Sequence, residues 1–317
     1  MSDLSNNQGR AYEYICLTTL NSEINKIRKA EIIENSAYNA SQRAWNTIPT
    51  TLQILLQQSA NAVVSTIFDM EPMIIEKSND TLELKIQTDN EGKEGDVRDI
   101  LISRKNVQWE IGLSLKHNHF AVKHSRLGKN LDFGKRWFNI ACSTQYWNDI
   151  KPIFNYLEEQ KKNNRNWNQL EDKETDVYIP LLNAFIKEIK QSTQQDSSVP
   201  RKMVEYLLGE FDFYKVISID MKKITRIQSY NLHGKLNQST KTTSPKIKIP
   251  VVSLPTRIVS LEFKPESSNT VELYMDGGWQ FNFRIHNAST KVETSLKFDI
   301  QIVGMPTTII SIDCKWD

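Results

Sequence analysis

Two aspartates, Asp96 and Asp99, lead into the apolar run Ile100, Leu101, Ile102, and the next apolar stretch carries Glu110, Ser114 and Lys116. Side chains two apart on a β-strand point the same way. In WEIGLSLK this places Glu110, Gly112, Ser114 and Lys116 on one face and Ile111, Leu113 and Leu115 on the other. One face is core; the other gathers acids and an ammonium in a small volume. That is the inventory of phosphodiester hydrolysis, in which a hard cation such as Mg²⁺ takes oxygen ligands and draws a water and a phosphate together. Asp99 is the expected anchoring ligand because it runs directly into the apolar strand, whereas Asp96 lies in the preceding turn and is the alternative. Lys116 is placed to orient the attacking water and help deprotonate it, since a neighbouring cation lowers the pKa of both.

The strands that would carry these residues form a three-stranded meander. Leu82, Leu84 and Ile86 alternate with polar residues, the turn DNEGKEGD follows, then VRDILIS, then VQWEIGLSLK. Upstream, AYEYICLTTLNSEINKI and the stretch from Thr51 to Phe68 have the three- and four-residue apolar spacing of helices, and Pro72 closes the helical region. Downstream, HFAVKHSRLGKNLDFGKRWF, WNDIKPIFNYLEEQKK, VYIPLLNAFIKEIKQ and RKMVEYLLGEF also read as helices. Strand patterns then dominate: FYKVISIDM, ITRIQSYNL, RIVSLEFK, TVELYMD, WQFNFRIHN and LKFDIQIVG. The class is therefore α+β, a mixed sheet flanked by helices with a strand-rich C-terminal half. The expected division is a helical N-terminus and catalytic core over 1–200 and a β-rich recognition region over 201–317, packed on the same core. The tract from Gly234 to Pro250, rich in Ser, Thr and Lys, is the expected mobile loop.

A chain of 317 residues with 39% hydrophobic content can bury a substantial core. No run of eighteen apolar residues occurs and MSDLSNNQGR is unlike a secretory signal, so a soluble cytoplasmic protein without a membrane partner is expected. Cys16, Cys142 and Cys314 are odd in number and far apart, which argues against a disulfide framework and for packing roles. The formal net charge is only +2, yet from Lys222 to Val259 there are eight Lys or Arg residues and no Asp or Glu. From Lys116 to Arg136, six cations face Asp132 alone. Local positive faces on a near-neutral chain suit a polyanion such as DNA.

Three of the five histidines, His117, His119 and His124, fall in KHNHFAVKHSRL. No cysteine lies near, and the cluster lacks the carboxylate common in hydrolytic zinc sites. An HNH-type nuclease using these histidines is one alternative to the strand-borne site. A grip on DNA phosphates by His117, Asn118, His119, Lys123, His124 and Arg126 is the other, such contacts fixing register without reading sequence.

The D…SxK arrangement resembles the PD-(D/E)xK nucleases, whose aspartate is followed by an apolar run, as Asp99 is, and whose (D/E)xK lies on the next strand. Here the second acid is replaced by Ser114. Glu110 shares the face, although four residues of strand span about 13 Å. Glu13, in GRAYEY, is similar to the helix glutamate that many members direct at the metal; the carbonyl of Leu115 with water is a third way to complete the site. EIGLSLKHNHFAVKHSRL, QGRAYE, GDVRDILI and FRIHNASTKVETSLKFDIQIVGMP together are similar to the HaeIII-type family of Type II restriction endonucleases, from Asn7 to near the C-terminus. The resemblance implies sequence-specific cleavage of duplex DNA at GGCC with a central blunt cut, Mg²⁺ as cofactor, and a protective methyltransferase as functional partner.

A two-fold symmetric target needs two cuts, so a homodimer is the default expectation. In GGWQFNFRIHNASTK, Trp279, Phe281, Phe283 and Ile285 share one strand face and Gln280, Asn282, Arg284 and His286 the other, with Asn287 following. The first row would pack and the second would be presented to DNA, where Arg pairs bidentately with guanine and Asn or Gln with adenine. A DNA-binding regulator without catalysis is the non-enzyme alternative.

Overall fold

The computed structural model describes residues 2–88, 96–118 and 123–316, with the side chains of 2–5, 123 and 124 outside that description. The chain folds into two compact units, Met1–Phe120 with Gly209–Ser253 and Thr307–Asp317, and Ala121–Leu208 with Leu254–Pro306. The strand-rich half expected over 201–317 thus contributes to both.

The first unit is built on a seven-stranded mixed sheet. Its strands are β1 (Ala30–Ile32), β2 (Leu82–Ile86), β3 (Ile100–Arg104), β4 (Trp109–His117), β6 (Phe213–Ile219), β7 (Ile224–Tyr230) and β12 (Ser311–Lys315), in the order β1-β2-β3-β4-β6-β7-β12. The expected meander is present as β2, β3 and β4 with antiparallel pairing. Strand β6 then adds to β4 in parallel, with Ser114 opposite Lys215 and Lys116 opposite Ile217. Helices α1 (Ser2–Asn25) and α3 (Thr50–Met70) pack on the sheet, and α2 (Ser36–Thr47) packs on α1. Ile111, Leu113 and Leu115 share one core cluster with Ala11, Tyr12 and Ile15 of α1, as strand parity requires. A hydrogen-bonded thread, Tyr12 Oη to Ser59 Oγ at 2.8 Å and Ser59 Oγ to Thr225 Oγ1 at 2.6 Å, joins α1 through α3 to β7.

Pro72 does not simply close the helical region. It opens the four-residue helix α4 (Pro72–Ile75), where its missing N–H has no partner to lose. The Gly234–Pro250 tract holds no helix or strand, yet it is tied down. Asn237 donates its amide to the carbonyls of Met70 and Ile247, Lys246 donates to Asp69 at 2.6 Å, and Leu236 and Ile249 are buried. The three cysteines are free and buried.

The second unit contains an antiparallel five-stranded sheet of order β5-β11-β10-β9-β8, made of β5 (Lys123–Gly128), β8 (Ile258–Phe263), β9 (Thr270–Met275), β10 (Gln280–His286) and β11 (Ser295–Gly304). Its helices are α5 (Phe133–Phe138), α6 (Thr144–Lys162), α7 (Ile179–Gln195) and α8 (Val199–Leu208). The helix expected across 119–138 is corrected here. Residues 123–128 are a strand paired with β11, and only Phe133–Phe138 is helical, opened by Asp132 accepting Lys135 N–H and ended by Asn139 in the left-handed region. The physical reason is alternation: Ser125 and Leu127 are buried on an edge strand whose partner lies far along the chain. Trp279, Phe281, Phe283 and Ile285 are fully buried, and Phe283 packs with Trp137, Phe185 and Phe298.

Candidate active site

Asp99 sits at the mouth of β3, locked on both sides by the sheet: its N–H donates to Leu113 O at 2.7 Å and its carbonyl accepts from Gln87 N at 2.9 Å. Three donors from β4 converge on its Oδ2. These are the Leu115 N–H at 2.5 Å, Lys116 Nζ at 3.2 Å and Ser114 Oγ at 3.4 Å. The carboxylate and ammonium keep 25% and 29% side-chain exposure, so a solvent-borne phosphate can reach them. Ser114 itself is buried, and its hydroxyl serves as a neutral hydrogen-bond donor where an acid of the D/ExK pattern would be charged.

Glu13 comes to the same place from α1. Its carboxyl is pushed up to about 8, by burial first and then by the negative charge of Asp99, with Lys116 and the hydroxyl of Ser41, 3.1 Å from Oε2, offsetting part of the rise. A helix acid and a strand acid therefore share one field beside one ammonium. A hard cation relieves such a carboxylate pair, and the oxygen-only donor set suits Mg²⁺ better than a soft metal. Among the described residues no group of three or more His, Cys, Asp or Glu is gathered as a metal site, so a cation here would complete its shell with carbonyl and water oxygens.

The other two acids are drawn elsewhere. Arg98 reaches Asp96 with Nε at 2.8 Å and Nη2 at 2.6 Å, and Glu110 with Nη1 at 2.9 Å. Asp96 also accepts from Gln87 at 2.8 Å, and the guanidinium lies 4.1 Å over the Phe211 ring. Gly112 makes room for this side chain: a Cβ there would stand 2.0 Å from Arg98 Cδ. Asp96 and Glu110 are thus partners of a buried arginine, on the same side of the sheet but bound away from Lys116.

His117 and Asn118 likewise have a protein partner. His117 Nε2 lies 2.8 Å from Asp220 Oδ2, and Asn118 donates to the same oxygen at 3.0 Å. His119 and the side chains of Lys123 and His124 lie outside the described residues.

On the second unit, Arg284 is exposed and bonds Asp299 at 3.0 Å, across the β10–β11 register. Arg126 donates to the carbonyl and hydroxyl of Ser295 at 3.2 and 3.0 Å. Gln280 leans on Gly304, where a Cβ would come within 2.6 Å of it, and Asn282 keeps a buried Oδ1 without a hydrogen-bond partner among the described residues. His286 Nδ1 bonds the carbonyl of Asn287 at 3.1 Å. Asn287 spends its amide on the carbonyls of Ser289 and Lys291, which shapes the turn after β10.

Sequence reasoning missed Lys215. It is only 4% exposed, shares the face of Ser114 and Lys116 across the β4–β6 register, and is pulled down to about 8 by burial and by the charge of Lys116. The signal was available: a lysine inside FYKVISI, whose other residues carry no charge, must point at something other than water. Arg98 was missed as well, because charge alone does not reveal which acids an arginine takes.

Comparison with known proteins adds an independent line. A sequence profile described as HaeIII restriction endonuclease matches residues 9–306. The Type II restriction enzyme HaeIII of Haemophilus aegyptius is 52% identical over 318 residues, covering 100% of each chain. No solved structure matches the chain.

Proposed function

The chain belongs to the HaeIII restriction endonuclease family and is a Type II restriction endonuclease; from that premise we propose that Asp99, Glu13 and Lys116 form its hydrolytic centre. The observation that carries this assignment is the convergence on Asp99 Oδ2 of Lys116 Nζ at 3.2 Å, the Leu115 N–H and the Ser114 hydroxyl, with both charged groups part-exposed and Glu13 held nearby on α1 by Ser41. Such a pair of acids brought together from two elements is a costly arrangement for stability and a useful one for holding a cation.

In this reading Asp99 and Glu13 would hold Mg²⁺ with the carbonyl of Leu115 and water. When bound, the ion supplies Lewis acidity at the scissile phosphate and at the attacking water. Lys116, its direction set by Asp99 Oδ2, presents its remaining N–H groups to that water and helps move its proton. The water oxygen forms the new P–O bond as the bond to the leaving sugar oxygen breaks. The Leu115 N–H and Ser114 hydroxyl keep the Asp99 carboxylate from rotating. Asp96 and Glu110 brace this wall of the site through Arg98.

The fold of the first unit is assigned to the PD-(D/E)xK type on the same pattern. The polar row of β10, Gln280, Asn282, Arg284 and His286, is assigned to reading bases, with Arg284 suited to guanine. The 201–317 half would supply most of the recognition surface. A GGCC target cut centrally to blunt ends, a homodimer presenting two centres to one symmetric duplex, and a protective methyltransferase follow from the family resemblance.

Plasmid DNA incubated with the protein and Mg²⁺, followed by sequencing of the fragment ends, tests activity, target and cut position together. Defined fragments are expected, chelation should stop the reaction, and Lys116→Ala should abolish cleavage while duplex binding persists. Cleavage surviving in Lys116→Ala would remove the centre from β4.

A further inference from the structure

The turn between β6 and β7, Asp220–Lys222 with Lys223 in the left-handed region, carries the most exposed large apolar side chain of the described residues. Met221 is 95% exposed, while the next, Val259, is 59%. Full burial of a methionine is worth about 2 kcal/mol, so a side chain held this far into solvent gains nothing for folding. It is flanked by the exposed Lys222 and Lys223, and exposed Lys315 on β12 stands beside Ile224 at the same sheet end.

The turn is also braced from both sides. Asp220, the acid of the turn, is bound inward: Oδ2 takes His117 and Asn118 from the end of β4, Oδ1 takes Ser218 Oγ at 3.1 Å, and its own N–H donates to Asn118 Oδ1 at 3.1 Å. On the far side the Trp316 N–H donates to Lys223 O at 3.0 Å. The acid of the turn faces the protein, the lysines are exposed, and Asp313, an acid near Lys222, is taken by Arg226 at 2.6 Å, so the tip presents one apolar side chain flanked by two lysines. This chemistry fits duplex DNA, with phosphates for the lysines and an apolar side chain for a groove or base step.

Its position is set by the sheet. Strands β4 and β6 run parallel with Lys116 opposite Ile217, so Met221 lies four residues beyond the level of Lys116. Two of those residues lie on β6, at about 3.3 Å each, and two in the tighter 3-10 turn, at about 2 Å each, so the tip stands roughly 11 Å beyond that level, or about three base-pair steps at 3.4 Å each. We propose that the Met221–Lys223 tip is a DNA contact outside the recognised sequence, in which Lys222 and Lys223 grip phosphates flanking the cut and Met221 packs into the groove between them. His117 and Asn118 are then positioning residues that fix the tip to the catalytic strand. The inference rests on the centre assigned above, which sets where the cut falls.

The test compares cleavage of two duplexes bearing the target, a short one closed at both ends by non-nucleotide linkers with no flanking base pair and a long one with ten flanking base pairs on each side. For the wild-type protein KM should be at least severalfold lower on the long duplex, and Lys222→Ala/Lys223→Ala or Met221→Ser should shrink that advantage with kcat little changed. In metal-free binding to the long duplex, the double lysine variant should lose about 1.8 from the slope of log K against log salt, at about 0.9 per contact, and Met221→Ser should lose none. Equal KM on both duplexes for the wild-type protein overturns the proposal without any variant. So does an unchanged salt slope in the double variant. If the wild-type protein cuts neither duplex, the catalytic assignment fails, and the metal-free salt slope still decides whether the tip touches DNA.

Discussion

Replacing Glu13 by Gln isolates the electrostatic cost of the centre from its shape. A carboxyl shifted from 4.5 to about 8 favours its neutral form by roughly 5 kcal/mol, at about 1.4 kcal/mol per pKa unit. Because Glu13 keeps partial solvent access, this figure is an upper bound. Below pH 4.5 both the folded and the unfolded chain hold the proton and the stabilisation is fully present. As pH rises toward 8 the unfolded chain releases it first, so wild-type stability falls with pH across this window. The amide has no proton to release, so Glu13→Gln should match the wild-type protein near pH 4.5 and exceed it progressively, by up to several kcal/mol at pH 8. Urea unfolding in chelator at pH 5, 6.5 and 8 measures the difference, and histidines titrating in both proteins cancel. The same variant should lose most Mg²⁺-dependent cleavage. A stability difference that does not change with pH would refute the account of Glu13, and full activity in the variant would remove it from the metal set.

Three further outcomes follow from the same geometry. Gly112→Ala places a Cβ 2.0 Å from Arg98 Cδ; expelling that arginine breaks its pairs with Asp96 and Glu110 and should cost roughly 3–5 kcal/mol, read as a lowered midpoint in thermal unfolding. Glu110→Gln leaves Arg98 its side-chain bonds to Asp96, so stability should fall by about 1 kcal/mol with cleavage within a few-fold of wild type; a loss as deep as that of Asp99→Asn would move Glu110 into the metal set. Lys215→Met removes a buried ammonium pulled from 10.5 to about 8. Since the unfolded chain keeps that proton up to 10.5, wild-type stability should rise by roughly 3 kcal/mol between pH 8 and 10.5, and the variant, compared by urea unfolding, should lack this rise and be the more stable protein at pH 7.

What the sequence revealed is what two-residue periodicity can carry. The buried rows Ile111, Leu113, Leu115 and Phe281, Phe283, Ile285 were legible because each strand has one dry face and one polar face. The strand β1 was not, being three residues long, too short for a pattern to stand out, and β12 was not read either, although it is as long as β2 and β3. Strand β5 was read as helix because KHSRLG alternates only briefly and owes its extension to β11. The exchange of chain between the two units, out after β4 and back at β6, leaves no trace in local composition. It is nonetheless what places Lys215 beside Ser114.

The site shows the same limit and gives a reason for its most unusual residue. Position 114 is 3% exposed, its hydroxyl donates to Asp99, and it sits in register with Lys215. A carboxylate there would add a third negative charge to the field of Asp99 and Glu13, in a place with little water to screen it. Burial, and after it the charge of Asp99, already raise Glu13 to about 8. With serine, the face carries two acids and two lysines, Lys116 and Lys215, and the hydroxyl strengthens the aspartate rather than opposing it. Glu13, the acid proposed above to stand in for the second one of the strand pattern, comes from α1, where Ser41 donates to it. Against the (D/E)xK pattern the serine looks like a defect; on this face it is a neutral hydrogen-bond donor to Asp99.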